Sequence, residues 1–238
     1  MPTRTRGRSC RFLRHGSVRF DSAPNTSYMV LAMTRALTRE DLDASQIPPL
    51  YWEARADKIP EGPDKAAILA YLRSIPGSIH LPAGAYISGQ VGRGKTCAAV
   101  VALKLARANG CPGLFVNLPA HIDRMKARED VPRYDLETSF AAALAKLDLV
   151  VLDDVRASDL REKWFGADEL AKFLRKRSDG KRATILTSRM SFTELARTFP
   201  EVAEAATGVL RPVVLTGPDQ REDRVQAVNK VFGGGGGS

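Results

Sequence analysis

Residues 85–96 read AYISGQVGRGKT, and this stretch decides the fold of the chain. Its first four residues predict a short strand, and the loop after them matches the pattern G-x-x-x-x-G-K-[ST] of a phosphate-binding loop. Residues 97–108 form an alanine-rich run without glycine or proline, and Asn109-Gly110 is the expected end of a helix. The sequence therefore predicts a strand, a glycine loop and a helix in that order.

The residue types in this loop suit the phosphates of a nucleotide. Glycines let the backbone turn so that its N–H groups point inward, and the positive end of the helix dipole adds to their attraction for phosphate. We predict that Lys95 reaches the β- and γ-phosphates and that Thr96 binds Mg²⁺. Average residue usage would give such a match by chance in about one chain in a hundred of this length. The predicted nucleotide-binding residues are Gly89, Gln90, Val91, Gly92, Arg93, Gly94, Lys95 and Thr96.

Length and composition indicate one main globular domain. Of the 238 residues, 44% are hydrophobic and 26% are charged, as in soluble proteins generally. No apolar run approaches the roughly 18 residues of a membrane span, and the N-terminus lacks the apolar core of a secretory signal. The three cysteines have no metal-type spacing and fit a reducing compartment. We therefore expect a cytoplasmic protein with no membrane partner.

The net charge of +9 is concentrated at the N-terminus. Residues 1–28 hold six arginines and one aspartate, so the remainder of the chain carries only +4. A basic protein suggests nucleic acid as a partner, but this segment has no hydrophobic periodicity. It could be a basic arm, a targeting segment or a leader upstream of Met29 or Met33, and we favour a flexible tail.

Apolar segments alternating with helical patterns predict an α/β fold. Helices are expected between the strands, and a capping box at Ser191 opens one of them. The result is a three-layer P-loop domain with a five-stranded parallel sheet. The predicted strands cover residues 85–88, 114–117, 147–154, 183–187 and 213–215.

The third predicted strand ends in two acids. Four apolar residues, 149–152, describe a central parallel strand that brings Asp153 and Asp154 to the carboxyl edge of the sheet, where ligands bind. We predict that Asp153 holds Mg²⁺ together with Thr96. Asp154 stands where many ATPases place a glutamate that orients the attacking water, and its shorter side chain predicts slow hydrolysis. Two solvated acids at a strand end are the alternative.

The fourth predicted strand ends in Thr187, Ser188 and Arg189. In related sheets a polar residue at this position senses the γ-phosphate. We therefore count Ser188 and Arg189 with Asp154 as candidate catalytic residues, although a plain polar loop is the alternative. Upstream of the loop, Tyr51 and Trp52 are expected to pack in the core rather than to form an adenine platform.

Several segments together resemble the DnaC-type helicase loaders and the IstB-type ATPases of bacteria and phages. The resemblance covers about residues 38–232 and implies the AAA+ fold, ATP with Mg²⁺, and self-assembly into open rings or spirals. It also implies single-stranded DNA and a replicative DnaB-type helicase or a transposase as partners. The segments that carry it are residues 89–96, 115–119, 149–154, 187–188 and 215–219.

The chain departs from the pattern of this family at several positions. The Ser-Arg pair that usually carries an arginine finger falls near Thr207-Gly208, so Arg211 is our candidate for that role and Arg197 a weaker one. Arg189 stands where an asparagine is usual, and Arg156 where a glycine is common. Only 17 residues separate Leu215 from the glycine tail, so no C-terminal lid is expected.

The predicted DNA surface is a helical insertion between the second and third strands. Basic side chains there would follow the DNA backbone and Tyr134 could stack a base, although an exposed charged helix is usually only solvated. The residues are Arg124, Lys126, Arg128, Arg133 and Tyr134.

We divide the chain into four parts: a basic segment (1–36), a helical region (37–82), the ATPase core (83–232) and a glycine-rich linker (233–238). Residues 37–52 are the predicted helicase contact, with a helix packed on the core as the alternative. An ATP-switched loader is favoured over a small-molecule kinase, because no arginine-rich lid segment follows the fourth strand. A nucleotide-dependent adaptor without hydrolysis is a third possibility.

Overall fold

The structure, a computed structural model, describes residues 35–59, 61, 65–78, 84–128, 132–163 and 165–219. The predicted basic tail and the glycine-rich C-terminus lie outside these residues.

The centre of the fold is a five-stranded parallel sheet with the strand order β2-β3-β4-β1-β5. This confirms the predicted sheet. The fifth strand begins at Leu210, three residues earlier than predicted, and it contains Pro212. Proline is tolerated there because this strand lies at the edge of the sheet and pairs only with β1. The strands are β1 (Gly84–Ser88), β2 (Gly113–Asn117), β3 (Leu149–Val155), β4 (Ala183–Ser188) and β5 (Leu210–Val214).

Nine α-helices lie within the described residues. The helix expected from Ser191 is two short helices, because Pro200 starts a second one directly after Phe199. The helices are α1 (Arg39–Ala44), α2 (Lys65–Ser78), α3 (Lys95–Ala108), α4 (Leu118–Lys126), α5 (Arg133–Ala145), α6 (Ala157–Arg161), α7 (Ala167–Asp179), α8 (Phe192–Thr198) and α9 (Pro200–Ala206).

The strands separate two hydrophobic layers, as a three-layer fold requires. Successive side chains of a strand point to opposite faces of the sheet. Ile87 and Val151 therefore pack in a core with α2 and α3, whereas Tyr86 and Leu152 pack in a second core with α4, α7, α8 and α9. All four are fully buried.

The N-terminal segment, residues 37–59, packs on the first of these cores. Leu42 and Ile47 are buried in the same cluster as α3. The backbone N–H of Phe115 in β2 donates to the carbonyl of Ser45 at 2.8 Å. Lys104 of α3 donates from Nζ to the carbonyl of Trp52 at 2.7 Å. The described part of this segment therefore packs on the ATPase core, which is the arrangement named above as the alternative to a helicase contact.

At the amino end of the sheet, Arg177 of α7 is buried with only 1% of its surface exposed. Its guanidinium donates to the carbonyl of Leu144 at 2.6 Å and to Oγ1 of Thr184 at 2.8 Å. It also donates to the carbonyl of Ala183. Burial lowers the pKa of Arg177 to about 10. The side chain links α5, α7 and β4 at the amino end of the strands, which is the end opposite the phosphate-binding loop.

Candidate nucleotide site

The carboxyl ends of β2, β3 and β4, together with the phosphate-binding loop that follows β1, border a cleft of about 620 Å³. Its position agrees with the rule that open α/β sheets bind ligands beyond the carboxyl ends of their strands. The lining residues come from the phosphate-binding loop, from the ends of three strands and from the N-terminal segment. They include Val91, Gly92, Gly94, Lys95, Thr96, Cys97, Asn117, Asp153, Asp154, Thr187 and Arg189.

The loop enters the cleft through conformations that need glycine. Gly94 has a φ of +81° and caps α3, and Gly92 has a φ of +80°. Because Lys95 and Thr96 open the helix and line the cleft, the positive end of the α3 dipole faces it. The Lys95 ammonium donates to the carbonyl of Gln90 at 2.8 Å, which holds the loop closed on itself.

Residues 216–219 lie against the other side of the loop. The Arg93 guanidinium donates to the carbonyl of Gly217, and a methyl group on Gly92 would collide with the Asp219 carboxylate. A methyl group on Gly89 would collide with the carbonyl of Leu215. Gly89, Gln90 and Arg93 therefore shape the loop, whereas the other five predicted residues line the cleft.

Two hydroxyl groups converge on one carboxylate oxygen. Oδ1 of Asp153 accepts a hydrogen bond from the Thr96 hydroxyl at 2.9 Å and another from the Thr187 hydroxyl at 2.8 Å. Asp153 is only 5% exposed. The structure thus brings together the two predicted Mg²⁺ ligands, Thr96 and Asp153, from opposite sides of the cleft.

The electrostatics of Asp153 suit a bound cation. Burial raises the pKa of its carboxyl, and the neighbouring Asp154 charge adds to the rise, while hydrogen bonds from Thr187 and Thr96 oppose it. A divalent cation would favour the ionised form. Mg²⁺ commonly uses few protein oxygens and completes its shell with water and phosphate. This fits the described residues, which contain no group of three or more histidine, cysteine or acidic side chains placed to hold a metal ion.

A bulge in β3 places both acids at the cleft. Leu152 pairs with Leu186 but Val155 pairs with Ser188, so Asp153 and Asp154 together stand opposite Thr187. Such bulges re-aim side chains next to functional sites. Asp154 has a φ of +58°, and its backbone N–H donates to the Thr187 hydroxyl at 2.9 Å. Without the bulge, neighbouring residues of a strand would point to opposite faces.

The end of β4 divides its three polar residues between two environments. Ser188 is fully buried, donates from Oγ to the carbonyl of Val155 at 2.6 Å and does not line the cleft. It therefore does not occupy the catalytic position that the sequence predicted, because Thr187 has the inward orientation. Arg189 does line the cleft, with Nε 4.0 Å from Oδ1 of Asp154.

The N-terminal segment forms a wall that the sequence did not predict. Leu50, Tyr51, Glu53, Ala54 and Lys58 line the cleft opposite the strand ends. Trp52, in contrast, donates its indole N–H to the carbonyl of Ile47 at 2.8 Å and packs against the first core. Leu50 is 66% exposed despite being apolar.

Other predicted residues lie away from the cleft. Arg211 of β5 pairs with Ala85 of β1 and is exposed. Arg197 is exposed on α8. Arg124 and Lys126 are in the last turn of α4, where Lys126 Nζ lies 3.1 Å from Glu162 Oε1. Arg128 follows that helix, and Arg133 and Tyr134 begin α5.

These features define a P-loop nucleotide-binding protein, in which a glycine loop faces acids from a neighbouring parallel strand across the cleft. Residues 78–215 match the sequence profile of a family described as IstB-like ATP binding protein. The match covers more than half of the chain, so the chain belongs to this family. No curated protein matches it.

Solved structures of replication proteins share the fold. The DnaC helicase loader has a TM-score of 0.60 at 22% identity over 71% of this chain and 100% of its own. DnaI has a TM-score of 0.60 at 20% identity, over 74% of this chain and 94% of its own. A DnaA initiator bound to AMPPCP and single-stranded DNA has 0.58 at 18% identity, over 78% and 56% respectively. The fold is therefore that of the AAA+ ATPases, and no lid is evident within the described parts of residues 35–219.

Within the described part of the chain, no helix has the length and apolar character to cross a membrane.

Proposed function

We propose that this ATP-binding protein is a slow, Mg²⁺-dependent ATPase that loads a replicative hexameric helicase onto single-stranded DNA. The observation that carries the proposal is the junction of Thr96 with Asp153 across the cleft, 2.9 Å apart. The Thr96 hydroxyl and the Asp153 carboxylate meet beside the phosphate-binding loop, which supports a metal site there. This arrangement is what transfer of the γ-phosphoryl group to water requires.

Each residue has a role that its position supports. The Lys95 ammonium and the first turn of α3 would bind the phosphates. Thr96 would hold Mg²⁺, and Asp153 would orient the Thr96 hydroxyl and hold the metal directly or through water. When bound, Mg²⁺ neutralises charge on the β- and γ-phosphate oxygens. Asp154 would orient the attacking water. Its short side chain reaches less far than a glutamate, which is why we expect slow turnover.

Similarity to the DnaC helicase loader supports the choice of partner. We propose a DnaB-type helicase, with contact to single-stranded DNA through the exposed end of α4 around Arg124 and Arg128. We also propose that ATP promotes self-association and that the exposed Arg211 lies in the contact between subunits. A switch of this kind requires that ATP favour one partner-bound conformation over the other.

The predicted helicase contact is better tested by surface substitutions than by deleting the segment. Removing residues 29–52 would take Leu42 and Ile47 from the core and Leu50 from the cleft wall, so ATP binding would also be lost. Glu40 and Asp43 on α1 are exposed. The double variant Glu40→Ala/Asp43→Ala should weaken capture of the helicase while ATP affinity stays unchanged.

A pull-down with the helicase of the same host or phage tests the proposal. Retention of the helicase that is stronger with ATP than with ADP is expected. If the protein ignores the helicase but captures a DNA-bound transposase, the IstB-type alternative replaces the loader. If it binds ATP without releasing phosphate, with or without single-stranded DNA, it is a nucleotide-dependent adaptor.

A further inference from the structure

We infer that Arg189 completes the hydrolytic site from within the same subunit, as an arginine finger supplied in cis. The resemblance to helicase loaders pointed to Arg211 for that role instead. The inference rests on the proposed ATPase function and names the residue that stabilises its transition state.

Position is the first argument. Among the described residues that line the cleft, the cationic side chains are Lys58, Lys95 and Arg189. Lys95 belongs to the phosphate-binding loop and Lys58 to the N-terminal wall. Arg189 directly follows β4 on the side of the two acids. Thr96 and Asp153 would hold the Mg²⁺ of a bound nucleotide, and Asp154 and Arg189 line the same cleft, so a terminal phosphate there would be within reach of Arg189.

The second argument is the hydrogen bonding of the neighbouring residues. The Thr187 hydroxyl has one proton, which it donates to Asp153. Ser188 donates its proton to the carbonyl of Val155. Neither side chain at the end of β4 therefore has a donor left for a phosphate oxygen. Arg189 offers five donors in a planar fork that matches phosphate geometry.

The third argument is freedom to move. The Arg189 side chain is 57% exposed, and its 4.0 Å separation from Asp154 is at the outer limit of an ion pair. Asp154 is itself 33% exposed, so the pair is screened by solvent and weak. A γ-phosphate carries more charge than one carboxylate and would compete for the guanidinium. Transfer of Arg189 to the phosphate would then leave Asp154 available to orient water.

Arg211 cannot supply this cation to the site of its own subunit. It pairs with Ala85, three residues before the end of β1. At about 3.3 Å per residue, its backbone lies about 10 Å below the edge where the cleft opens. Arg211 would reach only the nucleotide site of a neighbouring subunit. With Arg189 supplying the cation, we assign Arg211 a role in self-association and none in hydrolysis.

The reaction is the hydrolysis of the terminal phosphoanhydride. A water oxygen forms a bond to the γ-phosphorus as the bond to the β–γ bridging oxygen breaks. The electron pair of that bond leaves with ADP, and one water proton is released to solvent as inorganic phosphate forms. The negative charge on the transferring group is what Arg189 stabilises, and arginine fingers contribute a factor of about 10³ to 10⁵ in kcat.

The test compares Arg189→Ala and Arg189→Lys with Arg211→Ala and with a matched control. Arg175→Ala serves as the control, since Arg175 is a 49% exposed arginine on α7 that pairs with Glu204 away from the cleft. Three quantities are measured at protein concentrations where light scattering shows a monomer. These are the affinities for ATP and ADP, the capture of ADP with aluminium fluoride and Mg²⁺, and turnover as a function of protein concentration.

We expect wild-type monomer to capture ADP–aluminium fluoride and to turn over at a rate per subunit that does not depend on concentration. Arg189→Ala should keep its ADP affinity, lose its preference for ATP and capture no aluminium fluoride. Its turnover should fall at least about a hundredfold, with Arg189→Lys between it and the wild type. Arg175→Ala should behave as wild type, and Arg211→Ala should still capture ADP–aluminium fluoride as a monomer.

The opposite pattern overturns the inference. Capture that survives in Arg189→Ala but fails in Arg211→Ala, together with turnover that rises with concentration, assigns the cation to the neighbouring subunit. A wild-type protein that binds ATP but neither hydrolyses it nor captures aluminium fluoride also overturns it. Failure of the loader proposal is distinct, because a protein that ignores the helicase would still show the dependence on Arg189.

Discussion

The Thr187 hydroxyl lies 2.8 Å from Oδ1 of Asp153 and donates a hydrogen bond to it, while accepting one from the backbone N–H of Asp154. One hydroxyl group thus fixes both acids of the site. It does so from a neighbouring strand, which makes the geometry of the acids dependent on the pairing of β3 with β4.

Replacing this hydroxyl should loosen both acids. Thr187→Val keeps the shape of the side chain and removes its hydrogen bonds, so we expect Mg²⁺-dependent ATP affinity to fall about tenfold and turnover to fall further. Fluorescent-nucleotide titration and phosphate release measure the two effects. Thr193→Val on the exposed surface of α8 is the matched control and should change neither. Wild-type behaviour of Thr187→Val would show that the two acids are held by other groups.

Lys95→Ala should lose ATP binding while remaining folded. The substitution deletes the charge directed at the phosphates from a loop at the surface of the cleft and leaves both hydrophobic cores intact. Circular dichroism and ATP titration measure folding and binding separately. Lys172→Ala, at an exposed lysine on α7, is the control. Unchanged ATP affinity in Lys95→Ala would rule out the site.

The two acids should differ in what they control. Asp153→Asn should weaken Mg²⁺-dependent binding, because the metal loses a charged partner, whereas Asp154→Asn should bind ATP normally and hydrolyse it more slowly. Titration with ATP at varied Mg²⁺ concentration separates the two variants. Equal and negligible effects of both substitutions would show that the acids are structural.

The raised pKa of Asp153 also predicts how the stability of the fold depends on pH. A carboxyl whose pKa is higher in the folded than in the unfolded protein is destabilising once ionised, so stability without ligand falls as the pH rises from the ordinary value towards the raised one. Asp153→Asn, which cannot ionise, should therefore be more stable than wild type at neutral pH. Thermal unfolding without nucleotide measures it, and Asp179→Asn, on an exposed acid of α7, controls for loss of charge. A loss of stability in Asp153→Asn would contradict the argument.

Arg177 should be required for folding and not for binding. Arg177→Met removes a buried guanidinium and its hydrogen bonds to the carbonyls of Leu144 and Ala183. We expect the free energy of unfolding to fall by about 3 kcal/mol. Denaturant titration measures it, with Lys176→Met at the exposed neighbouring position as the control. Equal stability of the two variants would mean that Arg177 is dispensable.

The phosphate-binding loop and the order of strands and helices were predictable because local pattern encodes them. The run of residues 149–152 is apolar since both faces of a central parallel strand are buried, and that run locates Asp153 without tertiary information. The loop is equally local, because Gly92 and Gly94 adopt conformations that other residues rarely reach.

What the sequence missed depends on contacts between distant segments. The choice between Thr187 and Ser188 follows from the register of β4 against β3, and a bulge of one residue sets that register. The wall formed by Leu50 and Tyr51 depends on Lys104, which holds the carbonyls of Trp52 and Ala54 from 50 residues or more along the chain. Neither a residue pattern nor a spacing in one segment records such pairings.

The position of that wall couples nucleotide binding in the cleft to the binding of a macromolecule at α1. Leu50, Tyr51, Glu53 and Ala54 line the cleft, and the segment that carries them also includes α1 with its exposed residues. A macromolecule that displaces α1 by binding it would shift these wall residues and change the affinity for nucleotide. By reciprocity, the nucleotide must then change the affinity for that macromolecule by the same factor.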